Sequence, residues 1–289
     1  MSKRFQFLFL IALTVTGCKK DPVTTPEPDE GTDYSSCIIT TSDQGFEVMT
    51  WNLEQYPISS FTMEEVSNVI TSLDPDVVAL QEITSEDVFN TLVDNLDGWE
   101  GSIAVSGNLN LAFLYKPSEI TLLEPVSQII TDNSYAFPRP PAIIKIEHEL
   151  GQVYLVDIHL KCCDGTENVA RRKEAASLIK TYIDENLPND RVVVLGDFND
   201  EIYSSDGSED TFNNFIDDPD NYKFADMDIA MGNESGWSYP GWPSHIDHIL
   251  ITNEFFGDQL DVNVLQLNNC YENYFSWVSD HRPVIMRVE

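Results

Sequence analysis

Six short polar stations, each beside an apolar run, carry the residue types that hydrolytic chemistry uses. Asn52 follows Thr50-Trp51, and Glu82 follows Leu80-Gln81. His159 lies in Asp157-Ile158-His159-Leu160, and Asp197 and Asn199 in Leu195-Gly196-Asp197-Phe198-Asn199. Asp247 sits between His245 and His248 in Ser244-His245-Ile246-Asp247-His248, and Asp280 and His281 open Ser279-Asp280-His281-Arg282-Pro283. A lone carboxylate at a strand end is ordinarily a turn or cap residue. If the strands align their ends, however, Glu82, Asp197, Asp247 and Asp280 converge. Clustered carboxylates raise one another's pKa unless a cation lies between them. Oxygen donors of this kind suit Mg²⁺, Mn²⁺ or Ca²⁺ rather than zinc.

The elements that must position these residues are short and rich in Val and Ile, as expected of strands buried in a sheet. They fall at 46–53, 77–81, 111–115, 142–146, 153–160, 192–195, 246–251, 262–267 and 283–288. Helical periodicity covers roughly 64–73, 86–96 and 169–186, the last with Ala175, Leu178, Ile179, Tyr182 and Ile183 on one face. Helices mixed with adjacent and separated strands predict layered α/β or α+β packing. Neither a repeat nor a second linker follows Phe46, so 46–289 reads as one domain.

Composition narrows the function. The 289 residues carry 16 Lys+Arg against 49 Asp+Glu, a net charge of −33. A broad basic face that holds nucleic acid through its phosphates is therefore excluded. With 42% hydrophobic residues the chain can bury a sizeable core. Its longest apolar run, Phe7–Leu13, has seven residues, against about 20 for a bilayer-spanning helix.

Together the stations resemble the endonuclease/exonuclease/phosphatase superfamily, the deoxyribonuclease I-like fold. The motifs are MTWNL at 49–53, ALQEI at 79–83, DIHLK at 157–161, LGDFND at 195–200, SHIDHIL at 244–250 and SDHRPV at 279–284, in the family's order. The resemblance implies a four-layered α/β sandwich, two mostly antiparallel sheets flanked by helices. It also implies that Glu82 binds the essential divalent ion, Mg²⁺ with Mn²⁺ or Ca²⁺ as alternatives, aided by Asn52 and Asp280. Asp197 and Asn199 would hold the scissile phosphate and the attacking water. His281, paired with Asp247, would act on that water or stabilise the phosphorane. His159 would contact a phosphate oxygen or protonate the leaving oxygen. Arg139, in FPRPPAIIKIE at 137–147, resembles the arginine that contacts substrate phosphate.

Fold does not choose among the family's substrates. The leading expectation is a metal-dependent phosphodiesterase of the endonuclease type, acting as a monomer on nucleic acid. The alternative is a phosphoesterase acting on phospholipid headgroups or small phosphoesters, with Trp237, Tyr239 and Trp242 as a lipid-facing hairpin. A non-catalytic surface binding module is the remaining reading. Residues 200–220 carry eight acids and no base just after the GDFN station. Lys116, Arg139, Lys145, Lys161, Arg171, Arg172 and Lys173 could still line a local positive groove. On the helix that starts near Asn168, Arg171 and Arg172 read as solvated surface residues, and His148 as an exposed one.

Lys3-Arg4, an apolar stretch to Val15 and Gly17-Cys18 form a secretory signal that resembles a bacterial lipobox. That predicts a signal peptide at 1–17, acylation of Cys18, and a Pro-containing acidic linker at 18–45. The expected location is the cell envelope, lipid-anchored on the periplasmic or surface side of a membrane. Cys37, Cys162, Cys163 and Cys270 then admit two disulfides in three pairings. A bond between adjacent cysteines is strained, so Cys162 and Cys163 are expected to reach separately to Cys37 and Cys270. Metal binding by these cysteines is the weaker alternative, in the absence of a C-x-x-C spacing.

Overall fold

The computed structural model describes Tyr34, Ser36, Cys37 and residues 45–204 and 211–289. Cys18, the signal segment and most of the 18–45 linker lie outside the described residues.

Among those residues twelve strands form two six-stranded sheets. The first half of the chain supplies β1 (Phe46–Tyr56), α1 (Thr62–Leu73), β2 (Val77–Ile83), α2 (Glu86–Asp94), β3 (Glu100–Ala104), β4 (Asn110–Tyr115), β5 (Thr121–Gln128) and β6 (Ala142–His148). The second half supplies β7 (Gly151–His159), α3 (Thr166–Asn186), β8 (Arg191–Asp197), β9 (Tyr222–Phe224), β10 (Asp247–Thr252), β11 (Leu260–Val264) and β12 (Val284–Val288). One sheet runs β11-β12-β1-β2-β4-β3, the other β5-β6-β7-β8-β10-β9. Only β1–β2 and β7–β8 pair in parallel, each joined through a helix, α1 or α3. The expected four-layered sandwich is the observed one.

Three apolar clusters make the layers. Alternate residues of both sheets, among them Val48, Val77, Phe113, Ile144, Leu155, Leu195, Ile249 and Met286, fill the space between them. The opposite face of the first sheet, with Met49, Trp51, Val78 and Leu80, packs on Val66, Val69 and Ile70 of α1 and Leu92 of α2. The opposite face of the second, with Val156, Val192 and Val194, packs on Ala175, Ile179 and Ile183 of α3. Central strands thus have both faces covered, which is why their sequences run continuously apolar instead of alternating.

The cysteine expectation is corrected. Cys37 bonds to Cys270, and Cys162 and Cys163 are free and exposed. Cys37 and Cys270 both pack against the α1 side of the first sheet, whereas the adjacent pair follows β7 in the second. Tyr34 is buried and its hydroxyl donates to Glu65 of α1, so the chain docks on the domain some way before β1. His148 is buried beside Asp76, not exposed. No helix among the described residues is long and apolar enough to cross a membrane.

Candidate active site

Strand register gathers the stations at one end of the sandwich. His159, the last residue of β7, is in register with Asp197 at the end of β8, and Asp197 with Asp247 at the start of β10. In the other sheet β1 delivers Asn52 and β2 delivers Glu82, while β12 runs antiparallel to β1 and begins just after Asp280-His281. Two local features fix the alignment. Gly196 sits at φ +136°, and a Cβ there would lie 2.0 Å from the Ile158 carbonyl oxygen. Only glycine lets β7 and β8 approach this closely where His159 and Asp197 must meet. Glu82, at φ 64°, and Glu54 and Gln55, at 45° and 52°, occupy left-handed backbone, a conformation that costs non-glycine residues energy and concentrates at functional sites. It turns Glu82 so that its Oε2 accepts from the Gln55 amide at 2.9 Å.

Asp197 is the hub. Its Oδ2 accepts from Asn52 Nδ2 at 2.9 Å and lies 3.4 Å from His159 Nε2 and 4.0 Å from His281 Nε2. Its Oδ1 accepts from the Asn199 amide at 2.9 Å. Asn199 is itself left-handed and donates its side-chain NH₂ to the Leu160 carbonyl at 3.2 Å. His281 Nδ1 is 2.8 Å from Asp247 Oδ2, and its Nε2 is 3.8 Å from Asp280 Oδ1. Glu82 Oε1 is 3.7 Å from His159 Nε2. Arg139 reaches in from the loop before β6 and donates to the His159 carbonyl at 3.2 Å. Every site residue named from sequence is therefore in this cluster, Cys18 apart.

Burial sets the charge states. It pushes the Asp197 carboxyl up to about 7, opposed by His281 and reinforced by Asp247. Burial would lower His281, but Asp247, Asp197 and Asp280 outweigh it and raise the imidazole to about 10. His159 is held well below its ordinary range by burial and by the charges of Arg139 and His281. At neutral pH the site thus holds a charged His281 and a neutral His159. The donor set fits a divalent cation. Asp247 Oδ1 is buried without a partner, a buried Asp197 resists ionising, and the Glu82 and Asp280 carboxylates add further oxygens. Asp197, Asp247 and His281 offer ligand atoms within 4.8 Å of one another. Glu82, Asp197 and Asp280 line one cavity, and Asn52 is joined to it through Asp197. Asn52 Oδ1 already accepts from the Glu54 amide at 3.0 Å, leaving one lone pair.

Sequence reasoning left His245 and His248, which flank Asp247, as candidates for a supporting role and missed the other polar groups beneath this cluster. Gln81 Nε2 donates to Asp157 Oδ1 at 2.7 Å and to Thr50 Oγ1 at 3.0 Å, tying the two sheets together. Desolvation holds the buried Asp157 well above the usual carboxylate range. The Ser279 hydroxyl donates to the Asn52 carbonyl at 2.6 Å and accepts from the His281 amide at 2.9 Å. Asp226 Oδ2 is 2.6 Å from His248 Nδ1 and 2.9 Å from His245 Nε2, and His248 Nε2 is 3.1 Å from the Asp200 carbonyl oxygen. This second buried Asp–His–His group offers a metal-compatible donor set, yet its observed bonds already brace the GDFN loop. Arg172, expected on the surface, is buried and clamps Asp200 Oδ2 at 2.9 Å. For Gln81, Asp157 and His248 the available signal was a polar residue interrupting an apolar run, whereas Arg172, among the charged residues of a helix, offered none.

The cluster floors an open cavity of about 760 Å³. Its lining includes Asp164, Asp200 and Glu201 together with Tyr239 and Trp242; among the described residues no Lys or Arg lines it. Trp242 is 76% exposed, and Tyr239 lies 4.8 Å from the His281 ring.

Solved structures share this fold. D. rerio TDP2 complexed with a single-strand DNA product superposes with a TM-score of 0.69 at 12% identity, over 86% of this chain and 100% of that one. The Bacteroides thetaiotaomicron mannosyl-6-phosphatase gives 0.62 at 14% identity over 84% and 99%, and the human nocturnin catalytic domain 0.61 at 19% over 85% and 94%. No curated protein matches the sequence. The model of the Endonuclease/Exonuclease/phosphatase family matches residues 49–281, and the chain belongs to that family of phosphoester hydrolases.

Proposed function

We propose that the protein is a divalent-metal-dependent phosphoesterase whose substrate presents one phosphoester group, a small phosphomonoester or a short or terminal phosphodiester. The observation that carries this reading is the His281–Asp247 pair facing Asp197, Glu82 and His159 across one cavity with an acidic rim. A bound divalent ion, held by Glu82 with Asp197, Asn52 and Asp280, would neutralise phosphate charge. Asp197, fixed by Asn52 and the Asn199 amide, accepts a proton from the attacking water. Asp247 fixes the His281 ring through Nδ1, so Nε2–H donates to a non-bridging oxygen on which charge develops. Neutral His159 serves as a hydrogen-bond donor through Nε2 rather than as an acid. Arg139, bonded to the His159 carbonyl, adds a fixed positive charge near Glu82 and Asp197.

A second reading, an endonuclease of longer strands, draws support from the similarity to TDP2, a protein complexed with single-strand DNA. The acidic rim favours the first, because each further phosphate meets repulsion where a polyanion binder would place Lys or Arg. A lipid tether at Cys18 outside the cytoplasm, carrying a monomer, completes the proposal; the Lys3–Cys18 pattern supports it. The test is a substrate panel with Mg²⁺, Mn²⁺ or Ca²⁺: sugar phosphates, p-nitrophenyl esters, dinucleotides, plasmid, RNA and sphingomyelin, beside Asp197→Ala. Metal-dependent turnover of small esters, lost in the variant, is expected. Efficient plasmid nicking without small-ester turnover would replace the first reading with the second.

A further inference from the structure

Between β7 and α3 the chain runs Lys161-Cys162-Cys163-Asp164, of which Cys162, Cys163 and Asp164 line the same cavity as Glu82, His159 and Asp197. Their thiols are exposed and free. The Cys163 and Cys162 sulfurs lie 2.7 Å apart, and Lys161 Nζ is 3.3 Å from Cys162 Sγ. An ammonium at that distance favours the thiolate, the nucleophilic form. Cys163 occupies left-handed backbone at φ 78°, which swings its side chain toward that of its neighbour. The segment is also wired to the catalytic loop. Arg172 Nη1 donates to the Lys161 and Cys163 carbonyls at 2.7 and 3.0 Å. The same guanidinium clamps Asp200, which follows Asn199 directly.

We propose that Cys162 and Cys163 form a dithiol modification site at the mouth of the catalytic cavity, closed by exchange with a small disulfide. The Cys162 thiolate attacks one sulfur of R–S–S–R, forming Cys162–S–S–R and releasing one RS⁻. Cys163 then loses its proton and attacks Cys162 Sγ, releasing the second RS⁻. The two cysteines are oxidised to one vicinal disulfide, the small disulfide is reduced to two thiols, and the two cysteine protons balance the two RS⁻. The eight-membered ring forces the Cys162–Cys163 peptide to turn. That moves the carbonyls Arg172 holds, and with them Asp200 and the Asp197–Asn199 loop. Ring strain makes the bond easily reduced, the behaviour of a reversible site rather than of a structural crosslink such as Cys37–Cys270.

The covalent step is independent of what the enzyme hydrolyses; only its effect on activity rests on the phosphoesterase reading. Full-length protein is treated with oxidised glutathione and read by intact mass and peptide mapping. The expected product has lost two hydrogens at the 162–163 peptide, which carries no glutathione, and reverts with dithiothreitol. Cys163→Ser should instead trap one glutathione on Cys162. Phenylarsine oxide should bridge the wild-type pair and spare both single serine variants. Retention of two glutathiones, or no reaction of either thiol, would overturn the site. In the oxidised protein kcat/KM should fall about 10-fold or more, as expected of a displacement of part of an ångström at a catalytic loop, where a full 1 Å costs roughly 100-fold. Bridge formation with unchanged turnover would overturn the coupling to the loop. Absence of turnover in the reduced protein would refute the phosphoesterase reading, while the mass result would stand by itself.

Discussion

Replacement of Gly196 by Ala tests whether close approach of β7 and β8 builds the site. The new Cβ would sit 2.0 Å from the Ile158 carbonyl oxygen, and at 2.9 Å from its carbonyl carbon and amide nitrogen. All three are backbone atoms, so no side chain can rotate away, and the strands must separate by about 1.4 Å or more to restore ordinary contact. Two costs add. A non-glycine residue at φ +136° loses about 1–3 kcal/mol, and overpacking between fixed backbones costs a further 1–3 kcal/mol, roughly. A total near 4 kcal/mol corresponds to a Tm lower by about 8–16 °C in a domain of this size. Because Ile158 and Gly196 are in register, the residues after them, His159 and Asp197, move apart too. A displacement of about 1 Å at reacting groups lowers turnover by roughly 100-fold.

Gly98→Ala supplies the control. Gly98 also has positive φ, +82°, but a Cβ there meets nothing within 4 Å, so only the backbone cost applies, about 1–2 kcal/mol. Differential scanning calorimetry and kcat/KM on a p-nitrophenyl phosphoester with Mg²⁺ measure both variants. The reasoning fails if Gly196→Ala loses no more Tm than Gly98→Ala. It fails equally if Gly196→Ala is destabilised yet turns over at the wild-type rate, since stability would then be uncoupled from the His159–Asp197 geometry.

Asp247→Asn removes the carboxylate that holds His281, and kcat should fall by about 10³-fold with the fold intact by circular dichroism; wild-type kcat would remove His281 from the mechanism. Mg²⁺ at one hundred times its Kd should stabilise the protein by about 2.7 kcal/mol through relief of carboxylate repulsion. That Tm increment should vanish with chelator and shrink in Glu82→Gln; an equal increment in the variant would move the ion elsewhere. Asp226→Asn should lose stability in a pH-dependent manner. His248 ionises above its ordinary 6.5 because Asp226 outweighs its burial, so its contribution is complete below that value and fades as pH rises through the elevated one. Asp226 ionises below its ordinary 3.8, its burial outweighed by the two histidines, so its contribution is complete above 3.8 and lost as pH falls through the depressed one. The difference between wild type and variant, from urea titrations, should peak between pH 4 and 6.5; a flat difference would show that the charge on this pair adds nothing.

Much of the sandwich was legible because its central strands are buried on both faces. The runs at 77–81, 153–160 and 192–195 became β2, β7 and β8, and the long helical pattern at 169–186 became α3. The strands without a sequence signal are edge or near-trivial ones. In β5, Thr121–Gln128, exposure predominates and Pro125 interrupts the run. β3 is five residues with Gly101 inside, and β9 only three. The site residues were legible as types at strand ends, since hydrolytic chemistry needs carboxylates and imidazoles together. Their supports were not. Asp157 and Gln81 lie within the quoted motifs, but their partnership spans 76 positions and two sheets. Arg172 reads like any helix-surface arginine until the turn carrying Lys161 and Cys163 folds over it. Cysteine pairing failed for the same reason: adjacency in sequence strained one bond on paper and said nothing of which side of the sandwich each thiol would occupy.

The acidity of the chain and the anionic nature of its substrate are reconciled by counting charges at the site. With a net charge of −33, any phosphate approaches against a repulsive field, yet that field is screened within about 10 Å at ordinary ionic strength. What matters is the rim. There Asp164, Asp200 and Glu201 face the cavity, Arg172 is already engaged by Asp200, and His281 is the positive group at the floor, while Arg139, outside the lining, donates to the His159 carbonyl. On the proposed function, a single phosphate would bind to His281 and a divalent ion held by Glu82 with its neighbours, and leave its uncharged remainder against Tyr239 and the exposed ring of Trp242. A second and third phosphate would have to cross the acidic rim with no partner waiting. On that reading the carboxylates at the floor would hold a cation, and those at the mouth, Asp164, Asp200 and Glu201, would favour short, singly phosphorylated substrates. Selection by charge at the rim, rather than by a shape fitted to one leaving group, is the simplest function such an arrangement can serve.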